Sequence, residues 1–141
     1  MKILVTGGCG FIGSNFVLRQ INATQNSILN LDKLTYAGNI NNLSKIAKNQ
    51  RYQFVQGDIC DADLVFKTIS DFHPDSIGDF AAESHVDRSI DNPMEFINTN
   101  ILGTANLLHQ SMHYLNNTNN SFRFIHISTD EVFGSLDDTG S

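Results

Sequence analysis

Asp130 and Glu131 are adjacent carboxyl groups that follow Ser128-Thr129 at the end of a β-branched run. Two carboxyls in different surroundings can hold their pKa values apart, so that one serves as acid and the other as base. Standing alone, such a pair is as readily a solvated loop, because acidic residues are mostly exposed. Near the amino terminus, Gly7, Gly10 and Gly13 are spaced G-x-x-G-x-x-G directly after Ile3-Leu4-Val5-Thr6. Glycines so placed allow a tight turn, close approach of the backbone to a pyrophosphate, and tight packing of helix on strand. The amides opening the helix then face the phosphates. The string alone is a weak signal. Asp32 strengthens it: nineteen residues after Gly13, its carboxylate suits the ribose hydroxyls of an adenosine and repels a 2′-phosphate, which favours NAD over NADP. Lys33 beside it leaves NADP open, since a cation can pair with that phosphate. Asp58 and Ile59 offer a carboxylate for the adenine amino group and an apolar face for its ring, although Asp58 could equally cap a helix starting near Asp61. Ala81 and Ala82 are small enough for a dinucleotide to lie against the backbone.

These residues need strands that end where they begin. Short β-branched runs alternate with longer helical patterns, which predicts right-handed βαβ units around a parallel sheet. Strands are expected at Lys2–Thr6, Ser27–Leu31, Tyr52–Gln56, Ser76–Phe80 and Phe122–Ser128. Helices are expected at Phe11–Ile21, Ile40–Lys48, Ala62–Phe72 and Met94–Leu115, the last opened by Asp91-Asn92-Pro93 with proline in its first turn. The strand at Ser76–Phe80 is the poorest fit, because Gly78 and Asp79 ill suit a buried strand, and it is expected to be frayed or strained. The fold class is therefore α/β, a Rossmann-type doubly wound parallel sheet truncated after its fifth strand. Residues 1–141 read as one incomplete NAD-binding domain, with no substrate domain.

The chain has 141 residues, 40% of them hydrophobic and 17% charged, with a formal net charge of −6. That balance argues against a nucleic-acid partner or an anionic membrane surface. No apolar stretch approaches the ~20 residues of a membrane span, and the run after Met1-Lys2 is too short for a signal peptide. Cys9 and Cys60 have neither the number of a disulfide framework nor zinc-ligand spacing, so a cytoplasmic setting is expected. His85 is a tempting acid–base residue, but a structural histidine is as good a reading. His109 and His113 share a helix face without further ligands, and no metal is assigned.

Four blocks carry a resemblance: Thr6-Gly7-Gly8-Cys9-Gly10-Phe11-Ile12-Gly13, Leu31 to Asn39, Ala81 to Ser89, and Ser128-Thr129-Asp130-Glu131-Val132. Together the chain resembles the nucleotide-sugar 4,6-dehydratases of the extended short-chain dehydrogenase/reductase family, those acting on dTDP-glucose above all. The resemblance implies NAD as cofactor, lined by Phe11, Ile12, Asp32, Lys33, Leu34, Thr35, Asp58, Ile59, Phe80, Ala81, Ala82, Glu83, Ser84 and Thr99. It implies a nucleotide-sugar substrate whose hexose meets Ser84 and Thr129, and a homodimer for the full-length form. It also implies that Asp130 is the acid for the departing C6 hydroxyl, Glu131 the base for the C5 proton, and Thr129 the group that orients the oxygen at C4. Related epimerases usually carry small hydroxyl or alanine residues at the acidic pair.

The family oxidises C4 with a tyrosine and a lysine four residues on. Tyr36, Tyr52 and Tyr114 are followed at that spacing by Ile40, Gln56 and Thr118. The motif is therefore absent from these residues, and the chain by itself is expected to be inactive. Phe133 stands where the family usually has tyrosine, and Gly78-Asp79 replace bulkier strand residues. A dehydratase acting on UDP-glucose and a non-catalytic NAD-binding remnant remain open as alternatives. Phe122 to Ile127 would lie at an open sheet edge.

Overall fold

A computed structural model describes residues 1–118, 121–129, 132 and 134. Five parallel strands form one sheet in the order β3-β2-β1-β4-β5. They are β1 (Lys2–Thr6), β2 (Ser27–Asp32), β3 (Tyr52–Gln56), β4 (Ser76–Asp79) and β5 (Arg123–His126). The β1 residues from Ile3 to Thr6 are paired on both sides, Thr6 lying between Leu31 of β2 and Asp79 of β4. The expected α/β doubly wound sheet is thus the one observed, with strand boundaries differing by one or two residues.

Alternation along the strands sorts the core into two layers. Leu4, Leu29, Leu31 and Ile77 face α2 (Ala62–Phe72) and α5 (Thr104–Asn116), meeting Val65, Ile69, Phe72 and Leu107. Ile3, Val5 and Ile28 face α1 (Phe11–Ala23), meeting Val17 and Ile21, with Leu43 and Ile46 closing the same layer. Asp61 caps α2 by accepting a hydrogen bond from the Leu64 amide. Asp58 is therefore not that cap.

Three expectations change. The segment expected as a helix at Ile40–Lys48 is a 3-10 helix, Ile40–Ile46. Asn39 starts it by accepting from the Asn41 amide, and i→i+3 backbone bonds such as Asn42 to Asn39 continue it. The single helix expected at Met94–Leu115 is divided. A short α3 (Val86–Asp91) and α4 (Pro93–Phe96) precede a π-helical turn at Ile97–Gly103, and only then does α5 begin. Asn92-Pro93 separates α3 from α4, because proline disfavours helical backbone in the residue before it. Within the wide turn, Asn98 accepts the Cys60 thiol at its carbonyl, and Asn100 is drawn to Glu83. Wide turns of this kind concentrate at functional sites.

The third change is at β4. Far from fraying, all four of its residues are buried, and it pairs with β1 and β5. The Phe80 ring occupies the space beside Gly78. The Asp79 carboxylate is met by the Thr6 hydroxyl and by His126 Nδ1. A buried charge so surrounded loses much of its desolvation cost.

Candidate functional site

In an open α/β sheet, ligands bind beyond the carboxyl ends of the strands, where the order reverses. Here that point lies between β1 and β4. The β1 strand turns sharply at Gly7, whose φ of +66° places it in the left-handed region. A Cβ on Gly7 would stand 2.6 Å from the Ala81 amide nitrogen, so only glycine lets the loop rest against the end of β4. A Cβ on Gly13 would strike the Gly7 carbonyl oxygen. Backbone bonds then carry the turn into α1, Gly10 donating to Gly7 and Ser14 to Gly10.

Asp32 does more than end β2. Its Oδ2 accepts the Cys9 amide at 2.7 Å and its Oδ1 the Leu34 amide at 2.8 Å. The carboxylate thus ties the glycine loop to the loop after β2 and holds Leu34 at a φ of +59°, unusual for a branched residue. Each oxygen keeps a lone pair for a ligand hydroxyl. Beneath the loop, buried Asn30 accepts the Gly8 amide and donates to Cys9 Sγ and Tyr52 Oη. Burial first, then the Asp32 carboxylate, pushes the Cys9 thiol up to about 11, against the opposing Asn30 hydrogen bond.

Lys33 pairs with Asp58 at 2.7 Å. Burial alone would raise the Asp58 carboxyl, but the Lys33 ammonium and the Cys60 amide outweigh it and hold it below its ordinary value. Lys33 is raised in turn, chiefly by its hydrogen bond to Asp58. The cation that could have met a 2′-phosphate is therefore already engaged.

Two connected clefts open over these residues. The narrower is lined by Gly7, Gly10, Asp32, Lys33, Thr35, Asp58, Ile59 and Thr99, together with the Phe80 to Glu83 segment. The wider, of about 740 Å³, continues past Phe11, Ile12, Gly13, Ser84 and Thr129. Gly7, Gly10 and the segment from Phe80 to Glu83 belong to both. The expected cofactor residues are thus brought together with one exception, Leu34, whose side chain packs into the core layer beside α1. Asp130, Glu131 and Phe133 lie outside the described residues. His85 opens α3 without a side-chain capping bond and lines neither cleft. Among the described residues, no cluster of histidine, cysteine and acidic groups is arranged to hold a metal ion. None of their helices is long and apolar enough to cross a membrane.

Glu83, expected in the cofactor site, is found there, whereas Asn30, Asn100 and the Tyr36–Arg88 contact went unread in the sequence. Glu83 is 6% exposed, and among the described groups its Oε2 has no hydrogen-bond partner. Asn100 fixes the Glu83 backbone from both sides, accepting its amide at 2.9 Å and donating to its carbonyl at 2.8 Å. The Arg88 guanidinium lies 3.6 Å from the centre of the Tyr36 ring, joining the loop after β2 to α3 across the cleft. A polar residue inside an apolar strand was the available signal for Asn30; the Tyr36–Arg88 pair had none.

The geometry fits a dinucleotide on its own terms: glycine turn against backbone, carboxylate at the end of β2, and an unpartnered buried carboxylate oxygen in the shared wall. Comparison with known proteins agrees. The family model for GDP-mannose 4,6 dehydratase matches residues 4–141. A dTDP-glucose 4,6-dehydratase from Escherichia coli is 53% identical over 96% of the chain. The chain spans 39% of that relative's length. The dTDP-glucose 4,6-dehydratase of Streptomyces venezuelae, solved with NAD and TYD bound, is 45% identical with a TM-score of 0.86, over 98% of this chain and 42% of that one. The Bacillus anthracis enzyme, solved with NAD, is 40% identical with a TM-score of 0.84, over 99% and 41%. With a match running over nearly all its residues, the chain belongs to the GDP-mannose 4,6 dehydratase family.

Proposed function

We propose that the chain is the NAD-binding portion of a nucleotide-sugar 4,6-dehydratase that converts dTDP-glucose to its 4-keto-6-deoxy product. The observation that carries the reading is the shared wall of the two clefts. There the Gly7 turn rests on the Ala81 backbone and Asp32 reaches across it to the Cys9 amide. The similarity to NAD-bound dTDP-glucose 4,6-dehydratases supports the choice of cofactor and substrate.

In this reading Asp32 receives the adenosine ribose, Asp58 and Ile59 the adenine, and the amides opening α1 the pyrophosphate. Bound NAD supplies a hydride acceptor that later returns the hydride to the sugar. Ser84 and Thr129 bind the hexose, and Thr129 orients the oxygen at C4. Glu131 takes the C5 proton while Asp130 protonates the departing C6 hydroxyl, so water leaves and a C5–C6 double bond forms. Saturation of that bond would draw on the hydride that NAD supplies and on a proton. The tyrosine and lysine that would take the C4 hydroxyl proton are absent from these 141 residues, so turnover needs them supplied. A cytoplasmic setting and a homodimer for the full-length form complete the proposal.

Calorimetric titration of the chain with NAD, followed by incubation with NAD and dTDP-glucose or UDP-glucose, tests it. NAD binding without product is the expected result. Absence of NAD binding overturns the cofactor assignment, and steady formation of a 4-keto-6-deoxy product overturns the dependence on the missing pair.

A further inference from the structure

Thr6, Asp79 and His126 stand side by side across β1, β4 and β5, at register positions Thr6↔Asp79 and Asp79↔His126. Residues in register on neighbouring strands share a face, so these three form a polar row at the carboxyl end of the sheet. The row sits one step above the apolar row of Leu4, Ile77 and Phe124. Asp79 is its centre. The side chain is fully buried, and donors surround it. The Thr6 hydroxyl and the Ala81 amide reach Oδ1, and His126 Nδ1 meets Oδ2 at 2.9 Å. A hydroxyl, an amide and a ring N–H are the complement of an acceptor-only carboxylate, so Nδ1 carries the proton of the neutral ring.

That assignment determines what His126 offers elsewhere. With Nδ1 protonated, a neutral imidazole must present Nε2 as a lone-pair acceptor. Nε2 is at the end of the ring away from the backbone, His126 is 41% exposed at its side chain, and it lines the wider cleft together with Ser128 and Thr129. Asp79, its charge met by three donors, holds the ring in one tautomer beside the cleft, as a carboxylate fixes the ring of a ligating histidine.

We propose that His126, held by Asp79, is a ligand-binding residue of the wider cleft, its Nε2 accepting a hydrogen bond from a sugar hydroxyl. This rests on the reading of the cleft as a site for NAD and a nucleotide sugar. Both carry such hydroxyls, on the nicotinamide ribose and on the hexose. Asp79 is the positioning residue, and Thr6 fixes Asp79.

The test uses the full chain, at concentrations where it is monomeric, with NAD and dTDP-glucose as separate probes. Two-bond nitrogen–proton NMR of the neutral ring is expected to show Nδ1 protonated and Nε2 bare in the free protein. Nε2 then moves upfield on adding whichever probe reaches it. A response to NAD assigns the ribose, and one to dTDP-glucose the hexose. His126→Asn keeps a donor where Nδ1 stands and removes the group at Nε2, so it is expected to weaken that probe about 5- to 10-fold, the worth of one hydrogen bond. His126→Gln restores a polar group at the Nε2 position and is expected to recover most of the affinity. A free ring protonated at Nε2 overturns the proposal, as do equal losses in the two variants, which mark a purely structural histidine. If NAD binds and neither probe changes the resonance or loses affinity in His126→Asn, the proposal falls while the NAD-site reading stands. If neither probe binds, both fall together.

Discussion

Gly10 separates folding from binding at the level of one residue. An added Cβ there would meet only the Gly7 carbonyl oxygen, at 3.4 Å, which is ordinary contact. Gly10→Ala is therefore expected to leave stability within about 0.5 kcal/mol of the parent. A pyrophosphate lying on the loop would lose its close approach, so NAD affinity should fall at least about tenfold; denaturation and calorimetry on the same preparation measure both. Gly13→Ala should instead cost stability outright, about 1–3 kcal/mol, as overpacking does. The two cysteines divide in the same way. Cys9 is buried, with a thiol pushed up to about 11, whereas Cys60 is exposed and raised by burial and then by Asp58, with Lys33 opposing. Alkylation near pH 8 followed by mass spectrometry should label Cys60, slowly, and spare Cys9 until the chain unfolds; rapid labelling of Cys9 in the native state would contradict the buried loop. For the ion pair Lys33–Asp58, the depressed Asp58 contributes above the ordinary carboxylate pKa and its contribution is lost as pH falls through the folded value. Raised Lys33 contributes below the ordinary lysine pKa and is lost as pH rises through its folded value. The pair therefore holds across the neutral range, and its exposure limits it to about 1 kcal/mol or less.

At the level of elements, the strands were readable because short β-branched and apolar runs, bounded by glycine and polar residues, are what parallel strands buried on both faces leave in a sequence. The glycine loop and Asp32 were readable because the spacing between them reflects one βαβ unit. The helix at Met94–Leu115 was misread for a physical reason. Apolar residues persist through Ile97, Ile101 and Leu102, but the backbone widens where Asn100 turns to Glu83, and a distant partner leaves no periodic trace. Gly78-Asp79 misled in the same manner: the partners that make a buried aspartate tolerable, Thr6 and His126, are far away in sequence. The acidic pair Asp130-Glu131 was conspicuous in sequence, while the fold accounts only for the strand that leads to it. Asn100 makes two hydrogen bonds to the Glu83 backbone, so Asn100→Ala is expected to cost about 1–3 kcal/mol in denaturant unfolding. The Tyr36–Arg88 contact acts between elements, fastening the loop after β2 to α3. Arg88→Ala should speed NAD release about 2- to 5-fold, consistent with an exposed cation–π contact, with little change in Tm. Stopped-flow displacement of NAD reads the rate, and an unchanged rate would mean that the contact spans the cleft without restraining the ligand.

The whole molecule presents two apolar surfaces of different kinds. One is the outer side of β5, the last strand in the described sheet, where Ile125 is 46% exposed. The other is made by Met94, Ile97 and Ile101 on the helical segment that follows Asn92, with Ile90 on α3 before it, all exposed. An open strand edge offers unpaired amides and carbonyls to another chain, whereas a helical stripe buries side chains against a matching stripe. The net charge of −6 opposes either contact, and added salt weakens that opposition. We expect the chain alone to self-associate as its concentration rises, chiefly through the β5 edge, because backbone pairing there continues a ladder already built. Sedimentation at increasing concentration separates the two surfaces. Ile125→Lys, a charge placed at the edge, should return the chain to monomer, while Ile101→Glu should leave the association largely in place. The opposite pattern would assign the contact to the helices and make the homodimer proposed for the full-length protein the better account. A chain that stays monomeric throughout would show that neither surface, as described, is adhesive enough to overcome the charge.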